Sequence, residues 1–177
     1  MMKIFTTQLQ GQFKKIMEQE ELSIEDGARI LAQAVISGGK IYVHGISEMS
    51  AITAEALHGA EPLAAAKPLF FNGDMAEVTD LDRVLLISRF STDNEAIMLA
   101  DSLHKKGIQT VGISAVKKDE DAQSLDNIVD IHIDSKLTKP LLPNEDGTRF
   151  GFPSVMTALY AYYGLAFTIK EMIAEFE

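Results

Sequence analysis

The chain has 177 residues, 46% of them hydrophobic and 24% charged, which is the composition of one folded globular domain spanning residues 1–177. Its net charge of −10 argues against nucleic acid or an acidic membrane surface as a partner, and the absence of cysteine excludes disulfides, thiolate metal sites and cysteine nucleophiles. The amino-terminal residues lack the apolar core of a signal peptide and no apolar run approaches the length of a membrane span, so we expect a cytoplasmic protein.

Two amphipathic helices are predicted before the first strand. Apolar residues recur at helical spacing over residues 3–20, which predicts the first helix. Ser23 with Asp26 is typical of a helix start, and Gly38-Gly39 is typical of a helix end. A second helix is therefore predicted between these two signals.

Short apolar strands then alternate with helices along most of the chain. This alternation predicts βαβ units and a parallel sheet covered on both faces. The predicted strands are residues 40–44, 67–71, 84–88, 109–115 and 128–133, the helices among them are residues 51–60 and 94–106, and a polar turn is predicted at Lys117–Asp121.

The last segment, residues 154–177, is predicted to be a long helix that is apolar on nearly every side. A helix that is apolar all round is usually buried, and in so small a domain a second copy of the chain is the expected cover. We therefore expect a homodimer or homotetramer.

A polar turn, residues 88–94, connects the strand at residues 84–88 to the following helix. The N-terminus of a helix offers unpaired N–H groups and a partial positive charge, and hydroxyls in the turn add donors, so this arrangement suits an anion. Thr92 and Glu95 also match the T-x-x-E capping box, so helix capping explains the same turn. In parallel sheets ligands bind beyond the carboxyl ends of the strands, where the turns after residues 40–44 and 84–88 would meet.

The order of elements and these two turns resemble the sugar isomerase (SIS) domain family, whose members bind phosphosugars. One family motif, S-x-S-G-x-T-x-E, aligns with residues 88–95. Ser88 and Glu95 match it, whereas Phe90, Ser91 and Asp93 replace the second serine, the glycine and the threonine.

The other family motif, G-x-G-x-S, aligns with residues 45–49. Gly45 matches, Ser47 replaces the second glycine and Met49 replaces the serine. The resemblance covers nearly the whole chain, and in size the chain is similar to the phosphoheptose isomerases of the family.

The resemblance implies an α/β three-layer sandwich with a five-stranded parallel sheet of flavodoxin type, two leading helices and a long closing helix. It implies a phosphosugar-binding protein, such as a sensor or regulator. No residue spacing in the sequence resembles a zinc site, so we expect no metal and no cofactor. The alternatives are an aldose–ketose isomerase of phosphoheptose isomerase type and an oligomeric scaffold whose pocket has been lost. The expected ligand-binding residues are Ser47, Ser50, Ser88, Arg89, Ser91, Thr92, Asn94 and Arg149.

Two charged residues decide whether the second turn accepts a phosphate. In the family the hydroxyls of this turn hold the phosphate, and the Asp93 carboxylate would repel it. Arg89 could offset that repulsion, because a guanidinium binds phosphate in bidentate geometry. The alternative is that Arg89 pairs with Asp93 and that the turn accepts no anion.

Isomerisation would need a base beside the sugar, commonly a glutamate or histidine. Glu48, Glu55 and His44 lie near the end of the first strand and are the candidates, although a packed histidine and solvated glutamates explain them equally well. The histidine that phosphoheptose isomerases carry in the closing helix has no counterpart in residues 154–177. Arg149 lies in the long loop at residues 135–153, which in relatives often reaches the site.

Overall fold

The computed structural model describes residues 1–118 and 123–176, which form a three-layer α/β fold. The helices are α1 (Met2–Gln19), α2 (Glu21–Ile36), α3 (Ser50–His58), α4 (Asn94–Lys105), α5 (Leu125–Ile128) and α6 (Ser154–Ala174). The strands are β1 (Ile41–Gly45), β2 (Ala66–Pro68), β3 (Phe70–Phe71), β4 (Asp74–Met75), β5 (Arg83–Phe90), β6 (Thr110–Ala115), β7 (Ile131–Asp134), β8 (Leu142–Pro143) and β9 (Arg149–Phe150).

The central sheet has five parallel strands in the order β2-β1-β5-β6-β7. This is the flavodoxin-type order, and it confirms the predicted fold class. The chain runs outward from β1 to β2 and then returns to the other side of β1 with β5, so the switch point in strand order lies between β1 and β5. Gly45 and Ile87 pair at the carboxyl end of these two strands.

Alternate residues of β5 supply the two faces of the sheet. Leu85 and Ile87 belong to the apolar core beneath α2, α3 and α6, and Val84 and Leu86 to the core beneath α4 and α5. All four are fully buried. Residues 84–87 are all apolar because the parallel sheet is covered on both faces, so that side chains on either face are buried.

Several predicted boundaries differ from the structure. The strand predicted at residues 67–71 is divided into β2, an edge strand, and β3, which forms a small hairpin with β4. The helix α2 begins at Glu21, so the prediction that Ser23 starts it is wrong. Its end is confirmed, because Gly38 follows with φ 80°. Residues 119–121 of the polar turn predicted at Lys117–Asp121, and residue 177 of the closing helix, lie outside the described residues.

One side of α6 packs on the sheet and on α2, and the other side leaves apolar side chains exposed. Met156 is 45% exposed and Phe167 is 56% exposed. A groove of about 1110 Å³ runs between α1, α2 and α6, with Phe167 in its wall. None of the helices in residues 1–118 and 123–176 combines the length and the hydrophobicity that a membrane span requires.

Candidate functional site

The turn after β1 has a backbone shape that requires glycine at Gly45. A Cβ added there would lie 2.0 Å from the carbonyl oxygen of Met49, because the short 3₁₀ turn Ser47–Met49 folds back over the end of the strand. Ser47 adopts φ 53°, a left-handed conformation that glycine reaches most easily. Ser47 stands where the SIS motif has its second glycine, so the backbone here keeps a glycine-like conformation although the residue has changed.

Asp93, in the turn after β5, is the N-cap of the helix α4. Its Oδ1 accepts hydrogen bonds from the backbone N–H of Glu95 at 3.0 Å and of Ala96 at 3.3 Å. The expectation that Thr92 caps this helix is therefore wrong by one residue. These two N–H groups are among those predicted to hold an anion, and the Asp93 carboxylate now occupies them.

The two turns are joined by an ion pair between Arg89 and Glu48. Arg89 Nε donates to Glu48 Oε1 at 2.5 Å, and the Ser154 hydroxyl at the start of α6 donates to the same oxygen at 3.2 Å. The hydrogen bond from Arg89 lowers the pKa of Glu48. The first turn, the end of β5 and the N-terminus of α6 thus converge at the switch point. The predicted alternative of a pair between Arg89 and Asp93 is replaced by this longer-range pair.

Arg89 remains accessible in this arrangement, with 49% of its side chain exposed. It lies within β5 rather than in the turn after it, because a β-bulge between Ile87 and Phe90 extends the strand to Phe90. Phe90 then pairs with Ala115 of β6. The bulge thus continues the strand past residue 88, where the sequence predicts its end.

The predicted hydroxyl ligands fall into two groups. Ser88 and Ser91 are fully buried: the Ser88 hydroxyl donates to the carbonyl of Phe90 at 2.9 Å, and that of Ser91 accepts from the N–H of Lys117 at 3.1 Å. Their hydroxyls tie β5 to its own end and to the end of β6. The other predicted donors are exposed or half-buried, and these are Ser47, Ser50, Thr92 and Asn94.

Phe90 and Lys117 form one side of this surface. The Phe90 ring packs edge-on against Phe152 at a centroid distance of 5.8 Å, and Lys117 Nζ lies 3.8 Å from the Phe90 centroid. Met49, in contrast, is buried in the core. Lys117 and Ser154 also lie at this surface but are not among the predicted ligand-binding residues. Their positions were the available signal, because Lys117 follows the end of β6 and Ser154 begins α6, and ligands bind at such positions in these folds.

The three candidate bases contact different partners. Glu55 accepts a hydrogen bond from the Tyr163 hydroxyl at 2.6 Å, whereas Glu48 binds Arg89. The His44 ring packs on Phe70 at 4.8 Å, and its Nε2 lies 4.0 Å from the carboxylate of Glu95. Burial lowers the pKa of His44, and the charge of Glu95 partly opposes this shift. The three side chains share no contact that would make them one catalytic group.

Arg149 contacts its own loop. Its Nε donates to the carbonyl of Pro140 at 2.9 Å and its Nη2 to that of Leu141 at 2.8 Å. It lines a separate cavity of about 440 Å³ beside α1. Arg149 therefore contacts backbone carbonyls of its own loop, whereas Arg89 contacts Glu48.

Comparisons with known sequences show the family to which the chain belongs. The family described as "Domain of unknown function (DUF2529)" matches residues 1–173. "Uncharacterized protein YwjG" of Bacillus subtilis (strain 168) is 48% identical over 176 residues, which cover 99% of both chains.

Two crystal structures share the fold at low sequence identity. One, described as that of a hypothetical protein, superposes with a TM-score of 0.68 at 13% identity, covering 97% of this chain and 89% of that one. The other, described as a "putative phosphosugar isomerase" from Silicibacter pomeroyi DSS-3, has a TM-score of 0.53 at 17% identity. It covers 93% of this chain and 50% of that one, and the fold is therefore SIS-like.

Proposed function

We propose that this chain, which belongs to the DUF2529 family, binds phosphosugars at the carboxyl edge of its sheet and acts as a SIS-type sensor or regulator. The observation that carries the proposal is the half-exposed guanidinium of Arg89, held at the β1–β5 switch point by Glu48. The fold shared with a protein described as a phosphosugar isomerase supports the choice of ligand class.

A phosphate would bind here by competing with Glu48 for Arg89. The guanidinium has five N–H donors, and the ion pair uses the one on Nε, so the others can reach a ligand oxygen. Lys117 supplies a second cation beside the Phe90 ring. Further donors would come from the exposed or half-buried polar side chains of the two turns, which are Ser47, Ser50, Thr92 and Asn94.

The same surface also carries charge that opposes an anion. Glu48 is paired with Arg89, and Asp93 accepts hydrogen bonds from two N–H groups at the start of α4. Both carboxylates must tolerate the phosphate or move away from it, so we expect modest affinity. A site of this kind suits a sensor that responds to high ligand concentrations, since a sensor is most responsive near its dissociation constant.

The proposal does not extend to aldose–ketose isomerisation. The base for that reaction must lie within hydrogen-bond reach of the carbon-bound proton. Glu48, with its lowered pKa, is a weak base, and Glu55 and His44 contact other elements. An NMR assay for uptake of solvent deuterium into sugar phosphates would reveal isomerisation.

Calorimetric titration of hexose and heptose monophosphates tests the proposal. Hydrogen bonds to charged groups contribute about 1.5–3 kcal/mol, so Arg89→Ala should weaken binding roughly 10- to 100-fold. Glu48→Gln should keep or increase affinity, because it releases the guanidinium. Arg29→Ala is the matched control, since Arg29 is 53% exposed and also paired with carboxylates, but lies on α2. Equal binding by wild type and Arg89→Ala, or binding by neither, would end the proposal.

We also propose that the chain forms a homodimer or homotetramer through the groove between α1, α2 and α6. The groove is about 1110 Å³ and exposes apolar side chains that include Met17 and Phe167. Met17 is 55% exposed, and exposed apolar side chains that line one groove favour burial against another protein surface. A second copy would cover the face of α6 that the described part of the chain leaves exposed.

A further inference from the structure

A second concave surface carries a concentration of positive charge. It has a volume of about 440 Å³ and lies between α1 and the loop that follows β7. Lys15, Lys136, Lys139 and Arg149 line it, and among the residues that the structure describes no carboxylate does. Such a cluster is notable in a chain with a net charge of −10, because the average surface of this protein repels anions.

Not all four charges are available to a ligand. Lys136 Nζ contacts Glu20 Oε1 at 2.5 Å and Asp134 Oδ2 at 3.3 Å, so its charge is compensated. Lys15, Lys139 and Arg149 have no ion-pair partner within the described ranges 1–118 and 123–176. Three uncompensated cations therefore face one cavity.

The guanidinium of Arg149 is fixed in position before any ligand arrives. Its hydrogen bonds to the carbonyls of Pro140 and Leu141 use one N–H on Nε and one on Nη2, and the remaining donors stay available. Binding therefore costs little side-chain entropy at this residue, which favours affinity.

The loop that supports this cavity is anchored to α1 by apolar contacts. Leu137 and Leu141 are buried against Leu9 of α1, with Phe5 and Phe152 packed beside them. The wall of the cavity is thus a packed structure that joins the loop to the helix. Such anchoring allows a loop to hold charged side chains in a defined arrangement.

The backbone at Lys136 also points to a constrained loop. Lys136 has φ 66°, a left-handed conformation that is uncommon for a residue with a side chain. Its contacts with Glu20 and Asp134 hold it in that conformation. Strained positions of this kind are concentrated at ligand-binding segments.

The helix α1 completes the lining with polar groups. Gln8 and Gln12 are four residues apart, and Lys15 is three residues further, so the three side chains lie on one face of α1. The amides can donate hydrogen bonds to anionic oxygens. The cavity therefore combines fixed positive charge with neutral donors.

We infer that this cavity is a binding site for a small, multiply charged phosphate compound, such as one carrying a pyrophosphate group. Its volume falls within the usual range for small-molecule sites, which is about 300–1,000 Å³. The inference is independent of the proposed function, because Arg89 and Glu48 do not line this cavity.

Calorimetric titration with inorganic pyrophosphate tests the inference. Lys15→Ala and Lys139→Ala should each weaken binding roughly fivefold, and the double variant roughly 25-fold, as expected for loss of exposed charge contacts. Both lysines are exposed, so the variants should fold normally. Lys14→Ala is the matched control: Lys14 is the neighbouring residue on α1, is 68% exposed and pairs with Glu18, and its loss should leave affinity unchanged.

Three further titrations separate this site from its alternatives. If pyrophosphate still binds the Lys15/Lys139 double variant but no longer binds Arg89→Ala, the anion binds at the carboxyl edge of the sheet and the inference is overturned. Citrate binding more tightly than pyrophosphate would contradict the phosphate class. Absence of pyrophosphate binding to the wild-type chain at low ionic strength would also overturn it, because these exposed charges act most strongly there.

Discussion

Replacing Asp93 by serine should strengthen the binding of sugar phosphates to the turn after β5. The Asp93 carboxylate accepts hydrogen bonds from the N–H groups of Glu95 and Ala96 at 3.0 and 3.3 Å, so it sits at the start of α4, where a phosphate would otherwise bind. Serine caps helices about as well as aspartate, so the helix should be retained while the negative charge is removed.

The size of the effect follows from the position of Asp93 at the surface. Two unit charges about 4 Å apart interact with about 1 kcal/mol in water and about 4 kcal/mol at the effective dielectric of a protein surface. Asp93 is half-buried, so the lower figure is a safe minimum, and it corresponds to roughly fivefold tighter binding. The free energy of unfolding should change by less than about 0.5 kcal/mol, since both residues are good N-caps.

Calorimetry against sugar phosphates, together with urea unfolding, checks this prediction. Asp93→Ala is the comparison variant: it also removes the charge, but it loses the cap and should cost about 1 kcal/mol of stability. Affinity that is unchanged or weaker in Asp93→Ser, with stability preserved, would refute the view that this carboxylate opposes an anion at the turn.

Three further predictions concern packing, assembly and pH. Gly45→Ala should destabilise the fold by about 3 kcal/mol or more, because its Cβ would lie 2.0 Å from the carbonyl oxygen of Met49. The control Gly11→Ala, at a position of α1 where a Cβ meets no other atom, should stabilise the fold. Equal melting temperatures of the two variants would contradict this prediction. Phe167→Glu should yield monomers in light scattering, because it places a charge in the proposed interface. The control Met98→Glu replaces an apolar side chain that is 72% exposed on α4, and it should leave the oligomer intact. An unchanged oligomeric state of Phe167→Glu would exclude this interface. Burial lowers the pKa of His132 below 6.5, so its contribution to stability is complete above pH 6.5 and is lost as the pH falls through the lowered pKa. In urea unfolding at a series of pH values, His132→Asn should make the free energy of unfolding fall less steeply below pH 6.5 than in the wild type. An equally steep fall in the two proteins would contradict this prediction.

The core of the fold could be predicted because its signals are local. The apolar run from Val84 to Ile87 is too short for a helix and too apolar for an exposed strand, and it lies in the middle of the sheet. Gly38 marks the end of α2 through its positive φ. Such signals depend only on neighbouring residues, so the strands and helices appear in the predicted order.

The end of β5 could not be predicted from the same signals. Ser88 and Arg89 are polar and read as a turn, but a bulge keeps them in the strand, and Phe90 resumes pairing with β6. The bulge depends on hydrogen bonds with a neighbouring strand, which leave no local pattern. The N-cap of α4 lies one residue later than predicted for a different, local reason, since Thr92 and Asp93 are both good N-caps.

The pairing of Arg89 with Glu48 joins residues that are far apart in the sequence. Glu48 lies 41 residues away in the sequence, and only the adjacency of β1 and β5 brings it to 2.5 Å. Asp93 is the nearer carboxylate along the chain, but its oxygen is engaged by the start of α4. The sequence therefore indicated the two turns and their polar character, while the pairing of charges between them depends on the sheet order.

An NMR titration of the arginine Nε–Hε groups tests the central claim most directly. The chain has four arginines, and replacing each by lysine assigns its signal. Because Arg89 Nε is bonded to the Glu48 carboxylate, a phosphosugar that competes with Glu48 should shift the Arg89 signal in a saturable manner. An Arg89 signal that stays unchanged while a sugar phosphate raises the melting temperature would contradict binding at the β1–β5 switch point.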